Sequence, residues 1–368
     1  MQFLFFDLCR VAIGQQEILT HVPSHEEWRL LYDLAVRQAL VGVCFAGVGK
    51  LHRLGYDVPV DVYMKWLAMA AKIQQRNGLM NRRCVEAQQL LTEAGLRSAI
   101  LKGQGVACLY PEHLRLLRQS GDIDMWVPCG MENSMAFVRR RYGEVEYDYI
   151  NAHIPMFKDV EVELHWRAQS LANLFKNRKL QEWLEREETK CQMLGGEAEL
   201  PNKIGLITVP TAEFNAIYLL LHGYHHFFEG GLGLRQVMDY YFLLCNNLTP
   251  ASNLGLNNTR RILGLERFDR ALRWVMWHVF ENEDSDSPLA DSISNEREGR
   301  FILEEIMQSG NFGHHDSRIR KVSKDGRWQS IFMNLQHSWL IAKRYPSEAL
   351  WMPIWMAWHF IWKRIKKF

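Results

Sequence analysis

Three patterns in this 368-residue chain predict an α+β fold in which a small mixed sheet lies between two helical parts. Residues 1–95 carry apolar side chains at helical spacing, and residues 96–170 hold short alternating runs bounded by turns. Beyond residue 209 the helical period returns. The expected units are therefore an all-α N-terminal unit over 1–95, a mixed segment with its connection over 96–208, and an all-α C-terminal part over 209–368.

In chain order, Trp28, Leu31, Ala35, Leu40 and Val43 predict a helix over Glu26–Leu51, and charged-apolar periodicity predicts another over Val60–Gly95, ended by the glycine. Leu96–Lys102 reads as the first strand, 122–127 as the second, and 153–166 as a hairpin. Leu174–Glu188 is helix-like, Gly195-Gly196 a turn and Ile204–Val209 a short apolar run. Pro210-Thr211 then opens the helical part, in which Leu219–Leu244 forms one or two helices.

Composition narrows the class. A hydrophobic share of 48% supports packed cores, and 44 basic against 42 acidic residues leave no global field for nucleic acid. The basic runs Arg139–Arg141 and Lys363–Lys367 and the acidic run Glu281–Pro288 read as solvated surface. Seven cysteines without a Cys-x-x-Cys pair make neither a disulfide framework nor a zinc pattern, so a reducing cytoplasm is expected. The apolar start Met1–Arg10 contains Asp7 and lacks a basic opening and a cleavage pattern, unlike a secretion signal. No run reaches the length of a membrane-spanning helix.

Chemistry concentrates between residues 98 and 166. In Gly121-Asp122-Ile-Asp124-Met-Trp-Val127 the two acids project to one side of a strand while Ile123, Met125 and Val127 project to the other. Such a pair repels itself unless a cation sits between. Acidic oxygens around a divalent metal, beside a turn that receives phosphate, suit displacement at phosphorus. A further carboxylate is expected on a neighbouring strand, and Val160-Glu-Val-Glu-Leu-His-Trp166 places Glu161, Glu163 and His165 on one face. Lys102, with the amides of Gly103–Gly105, and Arg118 are the expected phosphate contacts, with Arg115 equal to Arg118 on charge alone.

Lys102-Gly103, Arg118, Gly121-Asp122-Ile-Asp124 and Glu163-Leu-His165-Trp166 together resemble the uncharacterised bacterial branch of the polymerase-β-type nucleotidyltransferases. Leu221-His222-Gly223 with His226, Leu234-Arg235 with Asp239, Gly310–Gly313 and Tyr345-Pro346 extend the resemblance over residues 96–368. It implies a polymerase-β-type core, an NTP substrate, and Mg²⁺ or Mn²⁺ held by Asp122, Asp124 and Glu163 as the catalytic acids. It also implies substrate contacts from Lys102, Gly103, Gln104, Arg118, His165 and His226. Of the two acids on the strand face, Glu163 rather than Glu161 matches the family's acid-Leu-His-Trp spacing. Two departures stand out: the turn is Lys-Gly-Gln-Gly, as the branch tends to have, where the wider superfamily has Gly-Ser, and the third acid is Glu rather than Asp.

Other features have plainer readings. His222, His225 and His226 on one helix, and the His314-His315 pair, are expected to line or pack rather than bind metal. Arg235 and Asp239, four apart, suit a helix-surface ion pair. Trp351, Trp355, Trp358 and Trp362 suit a helix docked on the C-terminal bundle rather than on a membrane. The functions considered are transfer of a nucleoside monophosphate from an NTP to a small-molecule, protein or RNA acceptor; an antitoxin-like or binding module of the same fold without turnover; and a glycosyltransferase using Asp122-x-Asp124. The last needs a strand-helix-strand nucleotide fold ahead of the acids, where the sequence reads as helix.

Overall fold

The computed structural model describes residues 1–189, 195–246, 249–282, 289, 295–313, 316, 318, 336, 339 and 341–365. The His314-His315 pair, most of the acidic run at 281–288 and the last residues of the basic tail lie outside these.

Four helices lead: α1 (Gln2–Ile13), α2 (His25–Arg37), α3 (Val41–Arg53) and α4 (Val60–Glu93). The apolar start is core material, since Phe5, Phe6, Leu8 and Cys9 of α1 are all buried. Ser24 opens α2 with a reciprocal capping box to Glu27, a device contributing about 1 kcal/mol. The single helix expected over Glu26–Leu51 is instead two, broken at Ala39, whose φ is 55°. Burial of Gln38 accounts for the break. Its amide donates to the Ile306 carbonyl and its oxygen accepts from the Leu234 N–H, contacts far along the chain that no local pattern contains. Gly95, at φ 76°, ends α4 as expected; the Leu96 N–H folds back to the Leu91 carbonyl.

The sheet has four strands in the order β1 (Ala99–Ile100), β2 (Ile123–Trp126), β4 (Val162–His165), β3 (Asn151–Ile154). β1 and β3 run antiparallel to their neighbours, whereas β2 and β4 are parallel. Between them lie the one-turn α5 (Gln104–Ala107) and α6 (Gly130–Tyr142). Strand alternation sends Ile123, Met125, Val162 and Leu164 into a core with Met80, Cys84, Ala87 and Leu91 of α4 and Met135 and Val138 of α6. The opposite face is left for the polar side chains.

After α7 (Leu174–Thr189), the Gly195-Gly196 turn and the 204–209 run prove to be a hairpin, β5 (Gly196–Glu199) with β6 (Leu206–Val209). Thr211 caps α8 (Ala212–Glu229) by accepting from the Phe214 N–H, as its position before the run predicts. Among the described residues the remaining helices are α9 (Leu234–Asn246), α10 (Pro250–Gly255), α11 (Asn257–Leu263), α12 (Glu266–Phe280), α13 (Glu296–Ser309), α14 (Pro346–Ala349) and α15 (Met352–Ile365). α1–α4 and the C-terminal helices share one hydrophobic core, in which α1 packs on both α3 and α12.

α15 docks more widely than its sequence predicts. Met352 and Trp355 pack on the helical core, while Trp355, Trp358 and Trp362 crowd the Tyr149 ring at 5.4, 5.1 and 5.7 Å, edge to face. The tryptophan face thus joins the last helix to the segment entering β3.

Candidate active site

The parallel pairing of β2 with β4 sets Asp124 directly beside Glu163, with His165 two residues on and on the same face. His165 Nε2 lies 3.0 Å from Asp124 Oδ1 and 3.2 Å from Glu163 Oε2. Ligand atoms of the three side chains all fall within 4.8 Å of one another. Lys102 Nζ is 3.1 Å from Asp124 Oδ1 and 3.9 Å from Asp122 Oδ2, so a cation does sit between the paired acids, and it comes from the chain.

The electrostatics follow from this crowding. Burial works against a charged Lys102, yet Asp124, Asp122 and Glu163 hold its ammonium above the ordinary value. Burial also opposes a charged His165, and its bonds to Asp124 and Glu163 override that, raising it to about 9. Glu163 is pulled the other way: burial raises its carboxyl, and His165 and Lys102 bring it below the usual range. At neutral pH Glu163 is therefore ionised beside a lysinium and an imidazolium.

Asp124 Oδ2 is buried with no hydrogen-bond partner, an expensive condition for a carboxylate oxygen. An orphaned oxygen beside a second carboxylate and an imidazole fits a divalent cation. Asp122 is a rim residue, its side chain 32% exposed; it joins the site through Lys102 and is not one of the three converging groups.

The Lys102–Gly105 turn follows β1. Gly103 adopts φ 59°, and a Cβ on Gly105 would stand 2.7 Å from the Ile100 carbonyl oxygen, so both glycines are required by the backbone path. The Gly105 N–H is spent on the Lys102 carbonyl. Gln104, expected to contact substrate, is buried with its amide donating to Asn81 and the Asn77 carbonyl of α4. Its role is to fasten the turn to α4, because a side chain at that helical position points inward.

Arg118 also departs from expectation. It is 3% exposed and forks onto Asp239 of α9, Nε to Oδ1 at 2.7 Å and Nη2 to Oδ2 at 2.6 Å. Tyr110 donates to the same carboxylate at 2.8 Å. A guanidinium closed in this way is a structural tie, neither a phosphate contact nor a surface pair. The expected Arg235–Asp239 pair is correspondingly absent among the described residues; Arg235 Nη1 donates to the Gln119 carbonyl at 2.7 Å.

His226 lies on the helix that crosses the polar face of the sheet. Trp126 stacks on Phe214 at 4.7 Å, and Tyr218, His222 and His226 follow at successive turns of α8. His222 and His226 approach Nε2 to Nε2 at 3.1 Å. Burial, then neighbouring cations including Lys102, pushes both well below the ordinary imidazole value, so they pair as neutral rings. The phenol of Tyr218 is raised by burial and by Asp124, Glu163 and Asp122. α8 therefore faces the carboxylates, as expected for a wall opposite the sheet.

Sequence reasoning missed Asn151 and His153. The β3–β4 register sets them opposite His165 and Glu163, and Asn151 Nδ2 donates to Glu163 Oε2 at 2.6 Å. His153 Nδ1 stands 3.6 Å from Glu163 Oε1. Alternation along Asn151–Ile154 gave their common face, but only the pairing register gives the partner. Glu161 is exposed on the approach to β4, and its carbonyl rather than its carboxylate is used, accepting from the Ile123 N–H.

Acidic groups beside a lysine turn, on a small mixed sheet walled by helices, make a cluster whose donor set suits a divalent cation. The family model of an uncharacterised nucleotidyltransferase matches residues 24–280, and the chain belongs to that family. The match takes in α2–α4, ahead of the expected start at 96, and stops short of Gly310 and Tyr345. No curated protein matches the chain. Among the described residues no helix is long and apolar enough to cross a membrane.

Proposed function

We propose that the chain transfers a nucleoside monophosphate from an NTP to an acceptor hydroxyl or phosphate, with release of pyrophosphate. The observation that carries this reading is the buried, unpartnered Asp124 Oδ2 within 4.8 Å convergence of Asp124, Glu163 and His165. Asp124 and Glu163, with Asp122 at the rim, are the proposed holders of Mg²⁺ or Mn²⁺; His165 is a further nitrogen donor once deprotonated. When bound, the cation would screen the phosphate charge and acidify the acceptor.

The chain's own residues supply the rest. Asn151 and His165 pin Glu163 Oε2 from two sides, which supports a fixed placement for a side chain one methylene longer than the usual aspartate. Lys102 lies 3.1 Å from Asp124 Oδ1 and steadies departing phosphate charge. His165, an imidazolium at neutral pH without metal, is a donor and not the base in that state, leaving the ionised Glu163 to accept a proton.

The test is incubation with each labelled NTP, Mg²⁺ or Mn²⁺ and a cell metabolite extract. Pyrophosphate and a labelled product are expected from the wild type and not from Asp124→Asn. Nucleotide binding without product across small-molecule, protein and RNA acceptors would instead identify a non-catalytic module of the same fold. Absence of NTP binding overturns the reading.

A further inference from the structure

Among the described residues, the charges named on the polar face are paired except for Arg235. Lys102 and His165 are matched by Asp124, Asp122 and Glu163, and Arg118 is closed on Asp239. Arg235, at the start of α9, has no carboxylate within 4 Å among the described residues, and its Nε is buried without a hydrogen-bond partner. Its one hydrogen bond goes to the Gln119 carbonyl, which also accepts from Arg118 at 3.3 Å. Two guanidinium groups thus converge on one oxygen, and a single carboxylate serves only the first. Burial and the repulsion from Arg118 hold Arg235 below its ordinary value. A half-buried cation with no carboxylate in direct contact is costly, and the fold maintains one here.

Its place is as informative as its charge. Gln119 stands three residues ahead of Asp122, so the bond ties Arg235 to the segment that delivers the acids. On the other side its guanidinium lies 5.8 Å from the centre of the Phe312 ring, and that ring is 4.9 Å from His226 at the end of the α8 ladder. Phe312 is 40% exposed at φ 58°, and its N–H donates to the Gly231 carbonyl at 3.1 Å. His226 feels both Lys102 and Arg235, so both cations act on the same histidine.

We propose that Arg235, rather than Arg118, is the second phosphate-binding cation of this site, and that with Lys102 it takes the β- and γ-phosphates of the nucleoside triphosphate. A guanidinium with unspent donors is suited to phosphate oxygens in a way a point charge is not, and an arriving polyanion supplies the missing counter-charge. The inference rests on the nucleotidyltransferase reading, and its test separates the two.

Calorimetric titration of wild type, Arg235→Gln and Arg235→Lys with tripolyphosphate, ATP, GTP, CTP, UTP and AMP, each with Mn²⁺, provides that test. Arg235→Gln is expected to weaken tripolyphosphate and the preferred triphosphate at least tenfold and AMP less than threefold, with an unchanged or higher Tm. Arg235→Lys, which keeps the charge and loses the fork, is expected in between and serves alone if the glutamine variant does not fold. Triphosphate affinity equal to wild type in either variant overturns the role of Arg235 and leaves the transferase reading standing. Tripolyphosphate bound as tightly as every NTP would identify a polyphosphate site and overturn the nucleotide assignment; a wild type that binds no triphosphate overturns the reading beneath it.

Discussion

Asp122 and Asp124 stand one residue apart and meet different surroundings. Asp124 is buried against Lys102 and His165, whereas Asp122 is a third exposed and 3.9 Å from its nearest cation. Asp124→Asn should therefore lower stability by about 2 kcal/mol or more, since it leaves two buried cations short of a counter-charge. Asp122→Asn should stay within about 0.5 kcal/mol, as rim substitutions do. Thermal unfolding of both variants checks this, and an Asp124→Asn variant as stable as the wild type or more so would mean that the mutual repulsion of the acids dominates. His165 adds a pH signature. Its folded value of about 9 exceeds the ordinary 6.5, so its contribution is complete below pH 6.5 and fades as pH rises through 9. The Tm difference between wild type and His165→Gln should shrink over that interval; a constant difference would place the proton elsewhere.

At the scale of elements, the Lys102–Gly105 turn is held by close approach as well as by its own hydrogen bonds. A Cβ at Gly105 would meet the Ile100 carbonyl oxygen of β1 at 2.7 Å and Val209 Cγ1 of β6 at 3.2 Å. Gly105→Ala should cost about 1–3 kcal/mol, read as a lowered denaturation midpoint at unchanged slope. A loss under about 0.5 kcal/mol would show that the turn has slack. α4 does comparable work from below: Asn77 Nδ2 donates to the Leu116 and Arg118 carbonyls, both at 2.7 Å, and Asn81 anchors Gln104. One long helix thereby sets the height of both loops that flank the carboxylates.

Across the whole molecule, the tie between sheet and helices runs through Asp239. It gathers Tyr110 and Arg118 at the carboxylate while Arg235 lies close enough to feel it. Asp239→Asn removes the counter-charge from one buried guanidinium and raises the repulsion on the next, and should cost about 3–5 kcal/mol. Chemical denaturation measures it, and in a double-mutant cycle with Arg118→Gln the two losses should be strongly non-additive. Additive losses would show that the fork is not a coupled pair. The tail belongs to the same scale, since α15 binds the helical core through Met352 and the approach to β3 through its tryptophans.

The shared face of Asp124, Glu163 and His165 was legible in the chain because side-chain alternation is a local property of a strand, independent of what the strand pairs with. Helical period, the Thr211 cap and the Gly95 stop were legible for the same reason. Partner choice was not. Arg118 meets Asp239 across 121 residues, Gln38 reaches Leu234 across 196, and Asn151 finds Glu163 only through strand register. Each of these is decided by which segments the packed core brings together, and charge or amide content at either end is equally compatible with solvent. So the sequence determined which residues carry the acid chemistry, and the tertiary structure decided which arginine is consumed in holding the fold and which is left with donors to spare.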